Sequence, residues 1–153
     1  MYLVKMKDNY RVVCEEFLKN RLDAMKRDVQ AIRNDLESET KSSAGDKYET
    51  SREMMKQEEN KIAESIEKLS NQLKMIQMLP VPDNNNGKIG LGSLIRTDKG
   101  DFYISVALGK LNYGSSIFFA ISIEAPIYTS FVGKKKGDVV VFNNNKFEIL
   151  EVM

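Results

Sequence analysis

The sequence predicts an α+β protein: an N-terminal antiparallel helical hairpin followed by a small antiparallel sheet with one short helix. Three observations carry that prediction. Residues 1–79 contain no Pro and a single Gly, Gly45, whereas all three Pro and the other eight Gly lie beyond. Two apolar seams of helical period lie on either side of Gly45 and are complementary when the chain folds back there. After Pro80 the period changes from helical to strand-like. The boundaries that follow are 1–79 for the hairpin with its tip at 42–49, 80–88 for a linker, and 89–153 for the sheet domain.

The first helix is expected after residues 1–9, which carry no clear signal, with Asp8 and Asn9 as available N-caps. From Cys14 the apolar positions run Leu18, Leu22, Met25, Val29, Ile32 and Leu36, alternating steps of four and three. This is the heptad seam that two packed helices share. Glu15, Lys19, Asp23, Lys26, Arg27, Asp28, Arg33 and Asp35 lie between them as a solvated face of mixed sign. Ser42, Ser43 and Gly45 then interrupt the seam, and Gly is the residue best suited to a tight reversal.

The second helix is expected to start at or just after Asp46, with the seam Met55, Ile62, Ile66, Leu69, Leu73 and Ile76. Folding at Gly45 sets Leu18 opposite Leu73, Leu22 opposite Leu69, Met25 opposite Ile66 and Val29 opposite Ile62. Ile32 meets Glu58 and Glu59, so packing weakens toward the tip. Arms of about 30 residues would make a stalk of roughly 45–50 Å. A parallel homodimer through one seam is the competing arrangement. The polar break at 40–46 disfavours it, and a monomer is expected.

Pro80 and Pro82 end the second helix, and the Asn/Gly run after them has linker and turn chemistry. Strands are expected at 90–97, 102–108, 117–123, 139–142 and 146–152. Turns are expected at Asp98-Lys99-Gly100 and at 143–145, a loop at 112–116, and a short helix opening at Pro126. That makes about five strands in roughly 65 residues.

Composition bounds function. The 23 basic and 22 acidic side chains nearly cancel, which argues against a protein that coats nucleic acid. No apolar run reaches the ~18–20 residues of a membrane span. No signal-peptide pattern is present, and the lone Cys14 suits a reducing compartment, so a cytoplasmic location is expected. The chain has no His, which excludes imidazole bases and His-ligated zinc. Metal chemistry would rest on carboxylates and water, which suits Mg²⁺.

Two stretches carry a resemblance. One is Ile121-Ser-Ile-Glu124-Ala125-Pro126-Ile-Tyr-Thr-Ser-Phe-Val-Gly133-Lys-Lys-Lys-Gly137-Asp138, followed by Phe147-Glu-Ile-Leu-Glu-Val152. The other is Gly45-Asp46-x-x-Glu49 between the helices. Both resemble the bacterial Gre-type transcript cleavage factors, the family of GreA and GreB. The resemblance implies an FKBP-like C-terminal domain and an RNA polymerase partner, with the hairpin inserted in the polymerase's secondary channel. It implies that Asp46 is a ligand of an Mg²⁺ shared with the polymerase, and that Glu49 assists that ligand or the attacking water. Contact with nascent RNA would be indirect, at the backtracked 3′ end. Such a protein is an auxiliary factor that stimulates the polymerase's own RNA cleavage and is not itself an enzyme, and it binds no cofactor alone. Glu124, Ala125 and Pro126 would lie at the polymerase-facing surface. Where the family has Leu and Asn, this chain has Lys47 and Thr50, and the runner-up is a Gre-like regulator that binds without promoting cleavage.

Other readings of the same residues stand beside these. Asp46-x-x-Glu49 is also a capping-box spacing. Lys134, Lys135 and Lys136 form a basic turn open either to solvent or to an acidic partner surface. Tyr103, Phe118, Phe119, Tyr128 and Phe131 are either core or the wall of a prolyl-isomerase pocket, which would make the chain an isomerase or chaperone. Met54, Met55, Met75 and Met78 read as core filler.

Overall fold

A computed structural model describes residues 2–40, 46–79 and 87–153. Its elements are α1 (Tyr2–Thr40), α2 (Asp46–Gln77), β1 (Leu94–Thr97), β2 (Gly100–Ile104), β3 (Gly109–Tyr113), β4 (Ser116–Ile121), α3 (Pro126–Phe131), β5 (Val139–Phe142) and β6 (Asn145–Val152). The α+β class holds: a hairpin of two long helices precedes a sheet with one short helix. The sheet has six strands rather than about five, and it is mixed rather than antiparallel.

The chain divides into two compact units. One is Phe17–Leu73, and the other combines Met1–Glu16 with Lys74–Met153. This division falls elsewhere than the composition boundary at residue 79, because the first turns of α1 share a core with the sheet.

In the unit Phe17–Leu73 the seam residues Leu18, Leu22, Val29, Leu36 and Leu69 are buried, and Met25, Ile32, Met55, Ile62, Ile66 and Leu73 are half-buried. The Nε of Arg33 donates to Glu59 across the helices at 2.8 Å. Positions 33 and 59 are centred on residue 46, as an antiparallel register about the expected tip requires. The reversal itself, at 42–45, lies outside the described residues.

Expectation and structure part at the N-terminus. Residues 2–9, which carry no clear sequence signal, are helical, and Asp8 and Asn9 lie inside α1 instead of capping it. The reason is burial: Met6 and Tyr10, each four residues from the next seam position, extend the apolar stripe that begins at Cys14, and all three are buried with Ile76.

The sheet order is β3-β4-β2-β1-β6-β5. The expected single strand at 102–108 is two elements, since β2 ends at Ile104. The chain then turns through Ser105, whose N–H donates to Ile121 O at 2.7 Å, and Gly109 at φ 77° opens β3. The segment expected as a loop at 112–116 is the end of β3, the turn Gly114-Ser115 and the start of β4. β3 and β4 are a hairpin, and β4 returns parallel to β2, with Phe102 beside Phe119 and Tyr103 beside Ala120. Residues 90–93, expected in the first strand, form a turn before β1.

Both faces of the central strands are covered. Ile95, Phe102, Ile104, Phe131, Val140 and Ile149 form one cluster, with α3 contributing Phe131. On the other face lie Leu94, Tyr103, Phe118 and Ala120, all at most 2% exposed. Tyr10 of α1 stacks there on Phe118, with ring centroids 4.0 Å apart. Burying each such aromatic contributes about 2–3 kcal/mol, with more from the stacked geometry.

Candidate functional site

The tip residues come from the start of α2. Asp46 is the first residue of that helix, and Glu49 stands one turn in with an exposed side chain. Positions three apart lie on one face of a helix, and the N-terminal end of the backbone dipole favours negative charge there. The side chains of Asp46, Lys47 and Tyr48 lie outside the described residues. Among the described residues no group of three or more carboxylates and thiols is placed to hold a metal ion.

The structure brings Glu124, Ala125 and Pro126 together at the turn that enters α3. Ser122 organises it: its hydroxyl accepts from Glu124 N–H at 3.2 Å and its carbonyl accepts from Ala125 N–H at 3.1 Å. Ala125 is the N-cap residue in extended conformation. Pro126 takes the first helical position, where a missing N–H costs nothing. Glu124 and Pro126 are exposed and Ala125 is half-buried, so the segment presents a charged and apolar surface.

The basic turn is held from both ends. Asp138 accepts from Lys135 N–H at 2.9 Å, and Lys136 Nζ reaches Glu151 at 2.7 Å. Gly133 and Gly137 take φ 78° and 92°, which a side chain would resist.

The five aromatic residues considered as a pocket wall do not share a wall. Tyr103 and Phe118 are buried on the face that Tyr10 covers, whereas Phe119, Tyr128 and Phe131 belong to the opposite cluster. A strand alternates its side chains between faces, so the adjacent Phe118 and Phe119 had to separate.

Polar burial that sequence reasoning passed over lies at the base of α1. Tyr10 donates its hydroxyl to Asp101 Oδ2 at 2.7 Å, and Arg96, Asp101's cross-strand partner, places Nε 3.4 Å from Oδ1. Burial and the Asp101 hydrogen bond raise the Tyr10 phenol above its ordinary range. Lys7, only 4% exposed, donates to Met153 O at 3.2 Å. Loss of solvent pulls the Lys7 ammonium down to about 8, against a smaller upward pull from Asp8. Met6, Tyr10 and Cys14 at steps of four were the signal that this segment is helical and packed.

Comparison with known proteins adds no relative. No family model, no curated protein and no solved structure matches the chain. Among the described residues no helix is long and apolar enough to cross a membrane.

Proposed function

We propose that this chain is a cytoplasmic Gre-type factor that enters the secondary channel of RNA polymerase and promotes hydrolysis of backtracked RNA. The observation that carries the reading is the position of the acidic pair. Asp46 and Glu49 occupy the first turn of the second arm of an antiparallel hairpin, with Glu49 exposed. The Gly45-Asp46-x-x-Glu49 spacing and the segment 121–138 supply the family resemblance.

Two carboxylates at a hairpin end suit a divalent cation shared with a partner. Carboxylate oxygens are hard ligands, and Mg²⁺ demands about six of them, so two from this chain leave the rest to the polymerase and to water. Asp46 would hold the ion and Glu49 would orient its hydration or the attacking water. The bound ion supplies a water of lowered pKa and a counter-charge for the phosphoryl oxygens. The hairpin positions the carboxylates, and the sheet unit docks through Glu124, Ala125 and Pro126. Lys47, adjacent to Asp46, favours a second reading: a regulator that occupies the channel without supporting cleavage.

The test is RNA cleavage in a backtracked complex of the cognate polymerase, with and without the protein, alongside a proline-peptide isomerisation assay on the protein alone. The proposal expects cleavage to rise in the first and nothing in the second. Turnover of the free peptide would replace this reading with the isomerase, whose pocket residues the structure divides between two faces.

A further inference from the structure

The two edges of the sheet are built differently. β3, at one edge, carries exposed Lys110 and Asn112, the kind of polar edge that discourages strand addition. β5, at the other, reads Val-Val-Val-Phe and carries no charge, Pro or Gly. Val139 and Val141 are 56% and 57% exposed although Val is among the strongest strand formers.

The backbone of the same two residues faces the open edge. Asn143 and Asn144, at φ 50° and 65°, form a two-residue turn between β5 and β6, so Phe142 and Asn145 are the pair that exchanges hydrogen bonds. Alternation then directs Val140 toward β6, consistent with Ile149 N–H donating to Asp138 O at 2.9 Å two residues further on. Val139 and Val141 are left with N–H and C=O groups pointing away from the sheet.

We propose that β5 is a self-association edge, at which two copies of this chain pair β5 antiparallel about a two-fold axis through Val140. In that register Val139 lies opposite Val141 of the second copy, and the outward N–H and C=O groups of both satisfy one another. The four valines form a continuous ladder, of the cross-strand type that stabilises sheets. No like charges meet: the turn 134–136 of one copy falls beside the uncharged Asn143-Asn144 turn of the other. An acidic partner strand is a poorer fit, because the edge itself is uncharged and Lys136 is already paired with Glu151. The arrangement also closes: the second edge, with Lys110, does not invite further strands, so pairing stops at two copies. The ladder is short, with two exposed valines from each copy, so a weak association is expected, with a dissociation constant on the order of 10 μM to 1 mM.

Sedimentation of the full chain across that concentration range tests this, with hydrogen exchange read at the Val139 and Val141 amides. The expected result is a monomer–dimer equilibrium, with exchange at those two amides slowing as concentration rises. Val139→Glu and Val141→Lys each weaken dimerisation about tenfold. The double variant, which places Glu opposite Lys in both symmetric pairs, restores it. Circular dichroism confirms that each variant is folded. If a single variant fails to fold, the exchange measurement on the unmodified chain decides alone. A chain that stays monomeric at the top of the range, exchange independent of concentration, or a double variant no better than the singles overturns the proposal. Concentration-independent protection caused by an added foreign peptide would reassign the edge to another protein's strand.

Discussion

Besides its buried ring stacked on Phe118, Tyr10 contributes to stability through its hydroxyl. Its removal in Tyr10→Phe leaves the buried Asp101 carboxylate with Arg96 at 3.4 Å as its remaining side-chain partner. Urea denaturation should show a loss of about 1–3 kcal/mol. Tyr10→Phe and Asp101→Ala should combine less than additively, since each removes the same bond. Two neighbouring groups give stability a pH dependence of opposite signs. Lys7 has a folded pKa of about 8 against 10.5 when solvated, so above pH 8 the unfolded chain binds the extra proton. Its contribution to stability therefore rises between about pH 8 and 10.5. Lys7→Met should be the more stable protein at pH 7, with its advantage shrinking across that window. Cys14 runs the other way. Burial pushes its thiol from 9.0 up to about 12, so the stability tied to the neutral thiol is complete below pH 9 and lost as pH climbs toward 12. Cys14→Ala should be less stable at neutral pH and should lose less across that upper window. None of these partnerships was legible from sequence. A lysine and an aspartate give no sign of burial until the elements that enclose them have been placed, and Lys7 falls in the stretch 1–9 that carries no clear signal.

Among the elements, the long helices were the most legible, because a seam repeating every three and four residues survives any uncertainty about the ends. The same seam makes a graded prediction for the hairpin. Leu22, 5% exposed, sits within it, and Leu22→Ala should cost about 2–5 kcal/mol in denaturant unfolding. Arg33→Ala should cost no more than about 1 kcal/mol, because the ion pair to Glu59 is solvated on the arginine side, at 54% exposure. An Arg33 effect as large as that of Leu22 would show that the charges hold the helices together and the seam does not. Strand positions were less legible. α3 and β5 fell at their expected residues because Pro126 and the Val run mark them locally. The break between β2 and β3 did not, since Ser105-Val106-Ala107 continues a strand-like pattern through a bend. The parallel pairing of β2 with β4 depends on contacts 17 positions apart, for example Phe102 with Phe119, and local alternation carries no information about direction.

For the whole molecule, composition anticipated two kinds of structure in one chain, and both are present. The contact boundary departs from the composition boundary because α1 supplies Met6, Tyr10 and Cys14 to the core it shares with the sheet. The acidic pair was legible as a motif, since Asp46 and Glu49 open α2 as the spacing required. Asp46→Asn separates the two roles the spacing allows, helix cap and cation ligand. Asn caps a helix about as well as Asp, so the variant keeps its fold while losing the charge that would hold Mg²⁺. The most direct measurement is therefore RNA cleavage in a backtracked complex of the cognate polymerase, with the unmodified protein and with Asp46→Asn, polymerase binding and thermal stability being read on both. If Asp46 holds the ion, cleavage falls at least ~10-fold in the variant, while binding and stability are retained and added Mg²⁺ or Mn²⁺ restores part of the activity. Undiminished cleavage by a stably folded Asp46→Asn protein would contradict the catalytic role, and binding without cleavage by the unmodified chain would make it the non-cleaving regulator.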